Sequence, residues 1–155
     1  MASSTPIRTH PPAEPAVAQT AKSIVPRLQT EDRTCLIATL GTEPQVVTLA
    51  LQALTDRGEA VHEVVVLHTA PREPRIGAAI ARLDAAFAGE PRLAAWRGHY
   101  RRVTVEGQAG PVADMLVEED FGAVLAALYR LVRDRKQAAF RVHLNVSGGR
   151  KLMSL

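Results

Sequence analysis

The chain has 155 residues, of which 46% are hydrophobic and 23% are charged, a composition typical of one globular domain. The net charge of only +3 argues against binding to a long nucleic-acid duplex. The low aromatic content of 4% argues against binding of single-stranded nucleic acid, whose bases stack on aromatic side chains. No apolar run approaches the roughly 18 residues that span a bilayer, and the N-terminus carries no secretory signal. We therefore expect a cytoplasmic protein with no membrane partner.

Residues 1–32 differ in composition from the rest of the chain. They hold half of the ten prolines and neither glycine nor aromatic residues. This composition predicts a disordered tail, and the alternative is a start codon assigned upstream of the real one. The folded domain is expected over residues 33–155.

The folded part alternates between strand-like and helix-like patterns. In chain order we predict a strand over residues 34–40, a helix over 45–57, a strand over 61–68, a helix over 75–88, a strand over 101–106, a helix over 118–136 and a strand over 139–146. Pro44 stands at a plausible first helical position, and Gly58 and Gly89 are placed to end the first two helices. Acidic residues open the last helix and basic residues close it, as the helix dipole favours.

This order predicts an α/β fold, an open and mostly parallel sheet with helices on both faces. Ligands of such sheets bind beyond the carboxyl ends of the strands. The chain stops at Leu155, a few residues after Gly149, where another helix and strand are expected. We therefore expect a truncated product or a fragment.

The first candidate loop follows the first strand and contains Thr39, Gly41, Thr42, Glu43 and Gln45. It has one glycine where the dinucleotide fingerprint needs three, which argues against a nicotinamide or flavin cofactor. Threonine hydroxyls at a helix N-terminus suit a phosphate, whose charge the free backbone N–H groups attract. The alternative is that Thr42 only caps the helix.

The second candidate loop follows the last strand and reads Asn145, Val146, Ser147, Gly148, Gly149, Arg150 and Lys151. Adjacent glycines let backbone amides approach a ligand, and the two cations favour an anion. The loop lacks the P-loop spacing. Two alternatives stay open: a glycine-rich helix start, and an Asn145 amide that only ties down the loop.

Other residue types argue against several chemistries. A single cysteine, Cys35, excludes an internal disulfide, and the five histidines show no spacing of metal ligands, so no metal is expected. Ser147 lacks the G-x-S-x-G pattern of acyl hydrolases. The segment from Trp96 to Arg102 is either a solvated face anchored by Trp96 or a loop that covers a ligand.

The two loops together resemble the CRISPR-associated Rossmann-fold (CARF) proteins, and among them the ring nucleases. Residues 36–48 (LIATLGTEPQVVT) and 142–151 (VHLNVSGGRK) carry the resemblance, which extends over residues 33–155. It implies a Rossmann-like domain that forms a homodimer and binds cyclic oligoadenylate, most often cyclic tetra-adenylate. These rings are second messengers of type III CRISPR antiviral defence.

Ring nucleases cut the messenger without a metal or other cofactor. A ribose 2′-OH attacks the neighbouring phosphate in line and leaves a 2′,3′-cyclic phosphate end, which requires positioning and charge stabilisation from the protein. The resemblance assigns catalysis to Lys151, Thr42 and Glu43. Its ligand-binding residues are Thr39, Gly41, Gln45, Asn145, Ser147, Gly148, Gly149 and Arg150.

One of these positions departs from the family pattern. The residue after Thr42 is commonly serine in ring nucleases, and here it is Glu43. Its carboxylate would repel the phosphates of the ring unless a cation compensates. The alternatives to a ring nuclease are therefore a sensor module that binds the ring without cutting it and, from another class, a domain that binds an ordinary nucleotide or nucleic acid.

Overall fold

The two most apolar strand segments of the sequence lie at the centre of one parallel sheet. The computed structural model describes residues 33–113 and 118–148, and within them the sheet has the order β3-β2-β1-β6. Its strands are β1 (Thr34–Thr39), β2 (Val61–His68), β3 (Tyr100–Thr104) and β6 (Arg141–Asn145). Both neighbours of β1 run parallel to it, Thr39 lying opposite Leu67 and Ala38 opposite Asn145.

Helices cover both faces of the sheet, as the sequence predicts. Helices α1 (Gln45–Asp56) and α2 (Pro74–Gly89) pack on one face, where alternate residues of β1 and β2 form a core with their apolar stripes. Helix α3 (Glu118–Gln137) packs on the other face. The intervening strand residues, which include Cys35 and Ile37, form the second core with it. Both faces of the central strands are thus buried, which explains their continuous apolar runs.

Several boundaries differ from the predictions. The last strand begins at Arg141 and not at residue 139, because Ala139 has φ 61° and cannot continue a strand. Helix α1 begins at Gln45, so Pro44 is its N-cap and not its first residue. The prediction that Gly58 ends this helix is confirmed, since its φ of 81° is strained for other residues.

Two further elements were not predicted. A short antiparallel hairpin joins β4 (Glu106–Gly107) to β5 (Gly110–Pro111), between the predicted third strand and the predicted last helix. A 3₁₀ helix (Pro91–Trp96) precedes β3, and the indole Nε1 of Trp96 donates to the carbonyl oxygen of Val61 at 2.7 Å. Because Val61 begins β2, this confirms Trp96 as an anchor at the amino edge. The alternative, a loop that covers a ligand, stays a prediction.

The thiol of Cys35 lies in the second core. Cys35 is fully buried, and burial, with a smaller effect of the Glu63 charge, raises the pKa of its thiol to about 12. The thiol is therefore protonated and inert at neutral pH. The predicted tail over residues 1–32 lies outside the described residues. No helix within the described ranges is long and apolar enough to cross a membrane.

Candidate functional site

The two candidate loops meet at the carboxyl edge of the sheet. Strands β1 and β6 are direct neighbours, so their following loops leave the sheet side by side. Gly148 lies against the backbone of Thr39, and a Cβ atom at residue 148 would collide with the carbonyl oxygen of Thr39. Glycine is required here for the packing of one loop on the other. The close approach is to the backbone of β1, a role that the sequence analysis did not assign to Gly148.

Asn145 holds the second loop in place. Its Oδ1 accepts hydrogen bonds from the backbone N–H of Ser147, at 3.0 Å, and from the Ser147 hydroxyl. Its Nδ2 donates to the carbonyl oxygen of Val46, in the first turn of α1, at 3.4 Å. These contacts are those of an amide that ties down the loop, one of the two interpretations of this residue. The same contacts fix the second loop relative to α1.

A backbone hydrogen bond to β2 fixes the start of the first loop. The backbone N–H of Leu40 donates to the carbonyl oxygen of Leu67 at 2.8 Å, which continues the β1–β2 pairing beyond Thr39. Gly41 and Thr42 follow and are partly exposed. Among the described residues no side chain caps α1, so the interpretation of Thr42 as a helix cap is wrong. Its hydroxyl is therefore not committed to the N-terminus of the helix.

Glu43 and Gln45 contact each other. Gln45 Nε2 donates to Glu43 Oε2 at 2.6 Å, and both side chains are exposed. The negative charge thus lies at the N-terminal end of α1, where the helix dipole favours it. The Glu43 carboxylate would repel a ligand anion bound at this end of the helix.

A cation at the first loop was missed by the sequence analysis. Arg82, on α2, donates from Nη2 to the carbonyl oxygen of Thr42 at 3.2 Å. The contact joins residues 40 positions apart, and an exposed arginine on a helix gives no local signal of it. Arg82 places a positive charge next to the residue that precedes Glu43, where a compensating cation was required.

Thr39 provides a buried polar atom at the same edge. Its side chain is 1% exposed, and within the described ranges Oγ1 has no hydrogen-bond partner. A buried hydroxyl without a partner costs about 1–3 kcal/mol. Thr39 is therefore a described site residue whose buried hydroxyl lacks a partner within the described ranges.

The neighbouring strand ends in a buried histidine that the sequence analysis did not select. His68 closes β2, and its Nδ1 lies 2.7 Å from the carbonyl oxygen of Thr69. Because a carbonyl only accepts, the neutral ring carries its proton on Nδ1. Burial lowers the pKa of His68, while the Thr69 carbonyl opposes that shift. A neutral imidazole is thus held at the carboxyl edge at neutral pH.

Three predicted site residues, Gly149, Arg150 and Lys151, lie outside the described residues. The structure brings together the other eight: Thr39, Gly41, Thr42, Glu43, Gln45, Asn145, Ser147 and Gly148. Among the residues that the structure describes, no group of His, Cys, Asp and Glu side chains could hold a metal ion.

Comparison with known proteins identifies one family. Its sequence model, described as CRISPR-associated protein NE0113 (Cas_NE0113), matches residues 43–155. The match therefore covers most of the chain, including α1, all strands after β1 and the complete second loop. The chain matches no curated protein sequence.

Proposed function

Because the chain belongs to the CRISPR-associated protein NE0113 family, we propose that it binds cyclic oligoadenylate at the carboxyl edge of its sheet and cleaves it. The observation that carries the proposal is the direct packing of the second loop on the first, through Gly148 and the carbonyl of Thr39. Both motifs of the resemblance to the CARF proteins thereby belong to one surface. This edge is also where parallel α/β sheets bind their ligands.

The proposed ligand is cyclic tetra-adenylate, bound by a homodimer. A cyclic ligand with rotational symmetry is matched best by two copies of one surface about a two-fold axis. Each protomer would contribute its first loop and its second loop. Arg82 supplies a positive charge beside Thr42.

The proposed reaction is metal-independent transesterification. The 2′-OH of one ribose attacks the adjacent phosphorus, its proton is lost, and the P–O5′ bond breaks as the 5′-oxygen takes up a proton. The product is linear with a 2′,3′-cyclic phosphate end. The chain positions the 2′-OH in line and stabilises the charge that develops on the phosphorane oxygens, with Lys151 as the cation.

The test is incubation of the full chain with cyclic tetra-adenylate in excess chelator, followed by separation of the products. We expect linear oligoadenylate with 2′,3′-cyclic phosphate ends. Lys151→Ala should remove cleavage while weakening binding more modestly, because the phosphorane carries charge that the ground state lacks. Equal losses in affinity and rate, with the chemical step unchanged, would contradict this role for Lys151.

A second candidate is a sensor that binds the ring without cutting it. The observation that favours it is the Glu43 carboxylate, which stands where ring nucleases commonly have serine and is held by Gln45. Saturable binding of cyclic tetra-adenylate with no product after prolonged incubation would identify the sensor. A protein that is monomeric with and without ligand would count against both candidates.

A further inference from the structure

A second charged cavity lies at the amino edge of the sheet, away from the two loops. It has a volume of about 420 Å³ and is lined by the starts of β2 and β3, the residue before β1 and the end of α3. Three arginines and one glutamate line it: Arg33, Arg101, Arg135 and Glu63. With the histidines neutral, these groups leave a formal charge of +2.

Glu63 organises two of the arginines. Arg101 donates from Nε to Glu63 Oε1 at 2.8 Å, whereas Arg135 Nε lies 2.9 Å from Oε2 in an ion pair that lacks hydrogen-bond geometry. The Glu63 side chain is only 16% exposed, so the carboxylate is a largely buried bridge between β3 and α3. Neither contact uses the terminal nitrogens of the two arginines, so their N–H groups are left for another acceptor. Both oxygens of the Glu63 carboxylate contact an arginine, and both guanidinium groups lie at the cavity.

The third arginine is held by an aromatic ring. The guanidinium carbon of Arg33 lies 4.3 Å from the centre of the Phe140 ring, in a cation–π contact. This contact holds the guanidinium at the ring without using its N–H groups as hydrogen-bond donors to a carboxylate. Within the described ranges no carboxylate pairs with Arg33. His62 also lines the cavity, and its Nδ1 accepts a hydrogen bond from the backbone N–H of Thr34 at 3.3 Å.

We infer that this cavity binds the phosphate group of a small phosphomonoester. A phosphomonoester carries a charge of about −1.5 to −2 at pH 7, which balances the lining, and its oxygens match the fork geometry of guanidinium groups. The volume lies within the roughly 300–1,000 Å³ of small-molecule sites. The inference does not depend on the proposed function, since no residue of the cavity belongs to either loop.

The test uses inorganic phosphate as the probe and the full chain, in calorimetric titrations at constant ionic strength. We expect saturable binding by the natural sequence and an affinity about tenfold lower in Arg33→Gln, the loss of one charge-assisted contact. Arg33 is exposed, so this variant should fold normally. Arg97→Gln is the matched control, because Arg97 is an exposed arginine close in sequence to the cavity but outside its lining.

Each of four outcomes would overturn the inference. Absence of saturable binding would show that Arg101 and Arg135 serve only as an ion-pair tether between the sheet and α3. An equal loss in Arg97→Gln would show a general effect of net charge and no specific site. Loss of phosphate binding in Lys151→Ala, with Arg33→Gln unaffected, would place the phosphate at the second loop. Titration with acetate in place of phosphate forms a further arm, and equal affinity for acetate would contradict selection of a dianion.

Discussion

The two edges of the same sheet are held together in different ways. At the amino edge, long charged side chains bridge separate elements, as Glu63 does between β3 and α3. At the carboxyl edge the loops are fixed by backbone contact at Gly148 and by the short amide of Asn145. Charges are largely paired with one another at the first edge. The second edge keeps an exposed Glu43 and a buried Thr39 hydroxyl that has no partner among the described residues.

The largest effect is expected from adding one methyl group to the second loop, at Gly148. Gly148→Ala places a Cβ against the carbonyl oxygen of Thr39, which is part of the sheet and cannot rotate away. We expect a loss of about 3 kcal/mol in the free energy of unfolding, the upper end for overpacking, measured by urea denaturation.

The matched control for that substitution is Gly122→Ala. Gly122 lies within α3, and a Cβ there would meet nothing within 4 Å. Alanine should stabilise the helix by roughly 0.5–1 kcal/mol. If Gly148→Ala proved as stable as the control, the second loop would not pack on Thr39.

At the amino edge, the largest effect is expected from Glu63→Gln. An amide can accept from only one of the two arginines and presents N–H groups to the other. We expect a loss of about 2 kcal/mol, less than for a fully buried pair because Arg101 is 41% exposed.

Glu90→Gln is the control for the ion pair. Glu90 pairs with Arg92 at 2.6 Å, but the two side chains are 41% and 64% exposed. Its loss should cost no more than about 0.5 kcal/mol. Equal effects of the two substitutions in urea denaturation would mean that burial of Glu63 does not strengthen its ion pairs.

A smaller effect is expected from pH, through His68. Burial holds the pKa of His68 below its ordinary 6.5, so between the two values the unfolded chain binds a proton that the folded chain does not. Stability is therefore complete above pH 6.5 and falls as the pH drops below it, with a slope of up to about 1.4 kcal/mol per pH unit. Asp84 opposes this shift and Arg102 reinforces it.

The measurement is the free energy of unfolding of the natural sequence and of His68→Gln between pH 7.5 and pH 5. The other histidines contribute equally to both proteins, so the difference in slope reports His68 alone. Parallel curves would show that His68 titrates normally in the folded protein.

Much of the fold was accessible from the sequence for a physical reason. The strand over residues 61–68 and the helix that Gly58 ends were predicted within a residue, because burial on both faces and a left-handed glycine leave local signals. The hairpin at residues 106–111 was missed, since Gln108-Ala109 is not a typical hairpin turn. Its strands of two residues each are too short to show alternation.

The site was accessible only in part. That both loops lie at one edge follows from the parallel order of the strands, which the alternating pattern predicts. The contact between Arg82 and Thr42 depends on how α2 packs beside the first loop, and no local pattern encodes it. Likewise, the spacing of glycines predicts close backbone approach at Gly148 but does not distinguish a ligand from the backbone of β1.

The smallest expected effect is that of replacing Glu43, the exposed carboxylate at the carboxyl edge. A carboxylate several ångströms from a phosphate costs on the order of a few kcal/mol at an effective dielectric near 20 before screening. Here Glu43 is exposed and bound by Gln45, so screening reduces that penalty, and Arg82 offsets part of it. Glu43→Ser should therefore bind cyclic tetra-adenylate about fivefold more tightly, or cut it about fivefold faster, than the natural sequence.

Glu73→Ser is the charge-matched control, because Glu73 is the N-cap residue of α2 and belongs to neither loop. Titrations and cleavage assays in chelator compare the three proteins at the same ionic strength. If Glu73→Ser gave the same gain, the effect would be one of net charge; if neither variant differed from the natural sequence, Glu43 would lie outside the reach of the ring phosphates.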